Sequence, residues 1–256
     1  MAPTQGARRI LVTGGGRGLG AAIVRTLAAA GHDVTFTYRS SADEAKAVVK
    51  ALTTAHPEQR FSARQIDLAD RDAVAAFTAA LGDETPYDGF VHNAGHTYDA
   101  LAMMMDQAKA EVAMQVNYWS FTRLVNALLR PMMRAKNGRV AVIGSVTALL
   151  ANQGNAAYAA SKAALLAYAR TLAIEVARTG VTVNYVAPGF IDTEMLAPYA
   201  KFRDTMESQI PARRFAAPEE IAAVVAFLMS PAASYLTGAV LPVDGGLSAA
   251  LGVHRS

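Results

Sequence analysis

The chain has 256 residues, of which 52% are hydrophobic and 18% charged, a composition that can bury a large core and excludes intrinsic disorder. It has no cysteine, which removes disulfides, thiolate metal sites and cysteine nucleophiles together. The net charge is only +3 and no basic run stands out, so nucleic acid is not an expected partner.

In chain order, short β-branched runs predict strands at Arg9–Thr13, Asp33–Tyr38, Phe61–Gln65, Gly89–His92, Arg139–Ile143, Val181–Val186 and Val240–Val243. Helical patterns lie between them at Gly18–Ala30, Ala42–Ala55, Asp72–Leu81, Asp106–Arg134, Ala156–Arg178 and Pro218–Leu228. This alternation argues for a parallel α/β sheet with helices on both faces. The strands read as continuous apolar runs, as strands buried on both faces should. No linker and no internal repeat divides the chain, so one domain over residues 1–256 is expected. Asp192–Phe215 is less regular and carries Pro198 and Pro211; it is either a mobile lid or an ordinary surface insertion. Met1–Arg9 has no apolar signal core, and no stretch of about 18 uncharged apolar residues occurs, so a cytoplasmic location without membrane contact is expected.

The first strand ends in Thr13-Gly14-Gly15-Gly16-Arg17-Gly18-Leu19-Gly20 and a helix follows at once. Glycines let a backbone approach a ligand closely, and the helix N-terminus offers free N–H groups to a phosphate. In a strand–loop–helix context this predicts dinucleotide binding. About 20 residues on, an NAD site usually places a carboxylate at the end of strand two. Here the sequence is Thr37-Tyr38-Arg39-Ser40-Ser41. The missing carboxylate removes repulsion of a 2′-phosphate, and Arg39 can pair with that phosphate, with Arg17 as a second positive charge. The expectation is NADP(H); the alternative for Arg39 is a solvated arginine.

Tyr158 and Lys162 are spaced i and i+4 in a helical stretch, so they share a face. An ammonium beside a phenol should lower its pKa from about 10 toward a value suited to proton transfer. Ser145 stands at the carboxyl end of strand five, where open α/β sheets place ligands, and could stabilise developing charge on a carbonyl oxygen. Each signal has a bland counterpart: a helix surface for the pair, a turn for the serine. Asn93-Ala94-Gly95 ends strand four with small residues. Asn117, inside an apolar helix, either faces solvent or serves a hydrogen-bond network.

Taken together, Thr13–Gly20, Asp67-Leu68, Asn93-Ala94-Gly95, Asn117, Ser145, Tyr158–Lys162, Asn184 and Pro188-Gly189 resemble the short-chain dehydrogenase/reductase family over nearly the whole chain. The resemblance implies a doubly wound, seven-stranded Rossmann-type sheet. It implies a catalytic set of Asn117, Ser145, Tyr158 and Lys162. Tyr158 would protonate the carbonyl oxygen, Ser145 orient it, Lys162 hold the nicotinamide ribose, and Asn117 hold a water of a proton relay. The implied cofactor contacts are Thr13, Gly14, Gly16, Arg17, Gly18, Leu19, Gly20, Arg39, Ser40, Asp67, Leu68, Asn93, Ala94, Gly95, Tyr158, Lys162, Pro188, Gly189, Ile191 and Thr193. Among these, Asp67 would bond the adenine, Asn93 its ribose and Thr193 the cofactor's phosphate or carboxamide. No metal is expected. His32, His56, His92, His96 and His254 are dispersed and read as structural or exposed.

Within the family, Gly138-Arg139, Ile143–Val146, Ala187–Thr193 and Asp244-Gly245-Gly246 resemble 3-oxoacyl-[acyl-carrier-protein] reductases, with Arg130 placed for carrier-protein docking. His92, His96 and Ile174 depart from that pattern; Arg170 and Arg178 flank Ile174 and could compensate. Leu101–Met105 could line an acyl or aromatic pocket, or simply pack. The alternatives are an NADP-dependent dehydrogenase of a sugar, polyol or steroid alcohol, and a non-catalytic dinucleotide-binding regulator. A homotetramer is expected, with a dimer next.

Overall fold

A computed structural model describes residues 8–250. All seven predicted strands are present: β1 (Arg9–Thr13), β2 (Asp33–Tyr38), β3 (Phe61–Gln65), β4 (Gly89–His92), β5 (Gly138–Ile143), β6 (Val181–Pro188) and β7 (Val240–Val243). They form one sheet in the order β3-β2-β1-β4-β5-β6-β7, and every pairing is parallel. The chain winds outward from β1 through β3, then returns to β4 beside β1 and winds the other way. The carboxyl ends of β1 and β4 therefore flank the point where the winding reverses, with Thr13 in register with His92. A crevice opens there because the connections leave in opposite directions.

Alternate residues of the strands feed two apolar layers. Ile10, Val12, Val34 and Phe36 point to one face, covered by α1 (Gly18–Ala29), α2 (Ala42–Ala55) and α8 (Pro218–Met229). Leu11, Phe90, Val140 and Val183 point to the other, covered by α3 (Arg71–Leu81), α5 (Ser120–Ala135) and α6 (Ala156–Val176). Burial on both faces is why these strands lack polar alternation. Each fully buried side chain contributes about 1.5–3 kcal/mol of transfer free energy.

The expected helix Asp106–Arg134 is divided. It comprises α4 (Gln107–Met114), a π-helical turn at Gln115–Trp119, and α5. The wider turn inserts an extra residue, and such bulges gather at functional sites. Asn117 occupies it and is fully buried. The irregular stretch Asp192–Phe215 holds a 3₁₀ run at Glu194–Phe202 and the short α7 (Arg203–Gln209). Arg203 pins it through a two-pronged pair with Asp192 at 2.9 and 3.0 Å and a bond to Glu207 at 2.7 Å. No helix among the described residues is long and apolar enough to cross a membrane. His254 lies outside the described residues.

Candidate active site at the carboxyl edge of the sheet

The turn after β1 is built for close approach. A Cβ on residue 20 would lie 1.9 Å from the Gly14 carbonyl oxygen, so only glycine lets α1 start against the strand. No side chain caps the N-terminus of α1. Its first N–H groups are thus open to an anion, which is the cradle a dinucleotide phosphate needs. Gly14 N donates to Thr37 Oγ1 at 3.1 Å, fixing the turn to the end of β2. Thr193 packs over Gly18, with its side chain 3.8 Å from where a Cβ there would sit. Thr13 Oγ1 accepts from Asn93 N at 3.0 Å and Ala94 N at 3.1 Å, and Asn93 Nδ2 donates to the carbonyls of Thr13 and Gly14. The ends of β1 and β4 are thereby locked into one floor.

Across the crevice, β5 is followed at once by Gly144-Ser145. A Cβ on residue 144 would lie 1.7 Å from the Tyr185 ring, so glycine is obligatory there. Tyr185, buried on β6, accepts from Ser145 N and donates to the Lys162 carbonyl, each at 3.1 Å. It thus fixes Ser145 against α6, which carries Tyr158 and Lys162 on one face. The Ser145 hydroxyl is near enough to the Tyr158 phenol to favour its ionised form, and its Oγ accepts from Thr147 N at 3.1 Å and Thr147 Oγ1 at 2.9 Å. Lys162 is buried; its ammonium lies 5.7 Å from the Tyr158 ring centre and donates to the Ile143 carbonyl at 2.8 Å. Asn117 does not face solvent. Its amide accepts from His96 N at 2.7 Å and donates to His96 O at 3.0 Å and to Ser161 Oγ at 2.8 Å. The four residues expected to form the catalytic set therefore converge.

One expectation is corrected. Burial pushes the Tyr158 phenol up to about 12, with the nearby Ser145 hydroxyl opposing the rise and the Asp99 charge adding to it. The lowering anticipated from Lys162 does not overcome burial, because the ammonium lies 5.7 Å from the ring centre, donates to the Ile143 carbonyl and is itself brought down to about 8 by burial.

A family model described as enoyl-(acyl carrier protein) reductase matches residues 14–248. The 3-oxoacyl-[acyl-carrier-protein] reductase MabA of Mycobacterium tuberculosis is 42% identical over 244 residues, covering 94% of this chain and 92% of that protein. The chain belongs to the short-chain dehydrogenase/reductase family. The 3-oxoacyl-[acyl-carrier-protein] reductase FabG of Escherichia coli is 39% identical over 239 residues, 93% of this chain and 96% of its own. A solved short-chain dehydrogenase/reductase from Serratia marcescens is 36% identical with a TM-score of 0.88, over 95% of this chain and 98% of that one. A Beutenbergia cavernae structure with bound NADP, provisionally named an NAD(P)-dependent gluconate 5-dehydrogenase, is 34% identical with a TM-score of 0.90, over 96% and 98%.

This short-chain oxidoreductase is thus of a kind that uses a nicotinamide cofactor, and the remaining expected contacts can be placed around the crevice. Arg39 and Ser40 are exposed beyond β2, and Asp67 is exposed beyond β3, its carboxylate accepting from Ala69 N at 2.9 Å. Leu68 is buried, with its carbonyl bonded by Gln115. Arg17 and Glu194 form an exposed pair at 3.6 Å, so Arg17 already has an anionic neighbour. Pro188 ends β6, Gly189 bonds β7 through its N–H at 3.0 Å, and Ile191 bridges Ala216. Gly95 lies beside both Lys162 Nζ and Asn117 Oδ1. Asn184 sits apart from the crevice, clamping Leu236 O and Ala239 N, so its role is to hold the approach to β7. Among the described residues no cluster of His, Asp or Glu is arranged to hold a metal.

Sequence reasoning missed Tyr185, whose only signal was a lone tyrosine in an apolar strand. It also missed Asp99, which hydrogen-bonds both Asn155 and Tyr199 and so ties three loops together at the mouth of the site.

Proposed function

We propose that this reductase converts the ketone of a 3-oxoacyl thioester to the 3-hydroxyacyl thioester with NADPH. The observation that carries the reading is the gathering of Ser145, Tyr158 and Lys162 at the carboxyl edge of β5, where Tyr185 ties Ser145 N to the Lys162 carbonyl and the Lys162 ammonium lies 5.7 Å from the Tyr158 ring centre, beside a glycine turn shaped for a dinucleotide. The names of the relatives at 42% and 39% identity supply the substrate class. When bound, the nicotinamide supplies a hydride to the carbonyl carbon. Ser145 donates a hydrogen bond to the substrate oxygen, and Tyr158 gives it a proton as negative charge develops. Tyr158 stays protonated at any working pH, because burial holds its phenol near 12. Lys162 keeps a positive charge below about pH 8, which favours the phenolate left behind. Arg39 pairs with the 2′-phosphate, which makes NADPH the coenzyme.

The carrier is an acyl carrier protein docking on exposed Arg130, with Arg170 and Arg178 flanking Ile174, itself 80% exposed. An acidic carrier matches such a face. The chain assembles as a homotetramer through apolar groups left in solvent, among them Trp119, 46% exposed, and Tyr235, at 102%.

Oxidation of a polyol or sugar acid is the second reading, favoured by the Beutenbergia cavernae structure's provisional name. Reduction of a carbon–carbon double bond is a third, favoured by the description of the family model. A panel decides among them: acetoacetyl and crotonyl thioesters with NADPH, and gluconate with NADP. The proposal expects turnover of the acetoacetyl thioester, lost in Tyr158→Phe while NADPH binding persists. Turnover of crotonyl thioester or gluconate alone, or an active Tyr158→Phe enzyme, overturns it.

A further inference from the structure

His92 is the last residue of β4 and is fully buried. Both ring nitrogens have partners: Nε2 lies 3.2 Å from the Asn117 carbonyl oxygen, and Nδ1 lies 3.2 Å from Thr13 Oγ1. A carbonyl can only accept, so the proton sits on Nε2; Nδ1 is then an acceptor, and the Thr13 hydroxyl donates to it. The Thr13 oxygen still accepts from Asn93 N and Ala94 N, which exhausts its capacity. On the other side the network continues through the Asn117 amide to Ser161 Oγ at 2.8 Å, and from Ser161 to the carbonyl of Tyr158 at 2.7 Å.

The imidazole is therefore the joint between two halves of the site. One half is the floor made by Thr13, Asn93 and Ala94 at the glycine turn. The other is the π-helical turn of Asn117 with the start of α6. We propose that His92 is a positioning residue of this reductase: an Nε2–H imidazole that fixes the Asn117 carbonyl to Thr13 and so sets the catalytic helix against the cofactor floor. The proposal rests on the reductase reading above.

Burial, reinforced by the charge of Lys162, brings His92 down to about 3, so the ring keeps one donor and one acceptor throughout the working range. A cationic ring would carry two donors and lose the bond from Thr13. An asparagine offers the same pattern of one acceptor and one donor on a shorter arm. The ring is also braced, with Phe121 and Phe90 centroids at 5.2 and 6.1 Å, so a phenyl group can occupy the space while making neither bond.

The test compares His92→Phe and His92→Asn in the full-length enzyme with NADPH and acetoacetyl thioester. Rates are normalised to folded protein by the fluorescence of Trp119, the chain's one tryptophan. His92→Phe is expected to lower kcat by about tenfold to a hundredfold, the loss that a small displacement of catalytic groups brings. The ketone KM and the NADPH Kd should stay within about threefold, and His92→Asn should recover most of kcat. A merely structural role would lower the folded fraction and leave kcat per folded molecule unchanged in both variants, which overturns the proposal. Nitrogen NMR of the wild-type ring supplies a reading that needs neither variant nor turnover. A neutral Nε2–H tautomer from about pH 5 to about pH 8 is expected, and an Nδ1–H or cationic ring overturns the assignment. Wild-type enzyme inactive on every ketone would instead sink the reductase reading and leave the ring measurement standing.

Discussion

The ammonium of Lys162 donates to the Ile143 carbonyl at 2.8 Å, at the end of the strand that presents Ser145. Lys162 thus serves the geometry of β5 as well as the charge of the site. Because burial brings it down to about 8 while Tyr158 is held near 12, the two groups titrate far apart. For ketone reduction both must be protonated. The expected profile of kcat/KM is flat below about pH 8 and falls about tenfold per unit above it, reporting Lys162 and not Tyr158. An alkaline limb beginning near pH 10 or higher would assign the loss to the phenol and refute this.

The same burial makes Lys162 a stability group. Its folded value near 8 is below the unfolded value of about 10.4, so between these the unfolded chain binds more protons. Stability attributable to this lysine therefore rises with pH across that window and is at its lowest below about pH 8, the full change being on the order of 3 kcal/mol. Lys162→Met should abolish the rise. The check is denaturant unfolding of both proteins at several pH values; parallel curves would show that the ammonium is better solvated than its burial implies.

Gly144 and Tyr185 are complementary to the point of exclusion. A methyl group on residue 144 would meet the Tyr185 ring at 1.7 Å, and that ring is held by bonds to Ser145 and Lys162. Gly144→Ala should destabilise by about 1–3 kcal/mol through overpacking and lower kcat by displacing Ser145. Pairing it with Tyr185→Phe, which cuts the bonds that tether the ring, should recover part of the stability but not the rate. Wild-type melting and turnover in Gly144→Ala would mean that this corner is looser than drawn.

Strand ends and the glycine turn were legible because periodicity and glycine report local backbone demands. All seven strands fall within two residues of the places the apolar runs predict, and Ser145, Tyr158, Lys162 and Asn117 lie together at the carboxyl edge of the sheet. What was not legible depends on contacts distant in sequence. The π-helical turn around Asn117 has no composition signal of its own; it exists where His92, His96 and Ser161 engage that residue from other elements. The direction of the Tyr158 shift was misread for the same reason. Spacing along a helix places Lys162 near the phenol but cannot reveal that its ammonium is bonded to Ile143, nor how much water the fold removes.

Arg39 is exposed at the end of β2, where a carboxylate would mark a preference for an unphosphorylated ribose. Arg39→Asp should weaken NADPH binding by at least about tenfold, since a charge-assisted bond worth about 1.5–3 kcal/mol is replaced by repulsion. NADH binding should be unchanged or improved. Titration of each coenzyme decides, and an unaltered NADPH Kd would return Arg39 to the status of a solvated side chain.

Asp99 joins the loop after β4 to two other segments, through Asn155 before α6 and through Tyr199 in the 3₁₀ run Glu194–Phe202. That run leaves Tyr199 and Phe202 partly in solvent beside the site mouth, and it is also held at its ends by the Arg17–Glu194 and Arg203–Asp192 pairs. Tyr199→Phe removes one tether and keeps the ring. Exposed hydrogen bonds contribute little to global stability, so the melting temperature should barely move. The segment's closure over substrate should weaken, raising the ketone KM by about threefold to tenfold with NADPH binding intact. Asp99→Asn should reproduce the KM effect and also lower the Tyr158 phenol, because it removes a negative charge that holds the proton on. If Tyr199→Phe leaves KM unchanged while Asp99→Asn raises it, the tether to Asn155 and not the one to Tyr199 shapes the mouth.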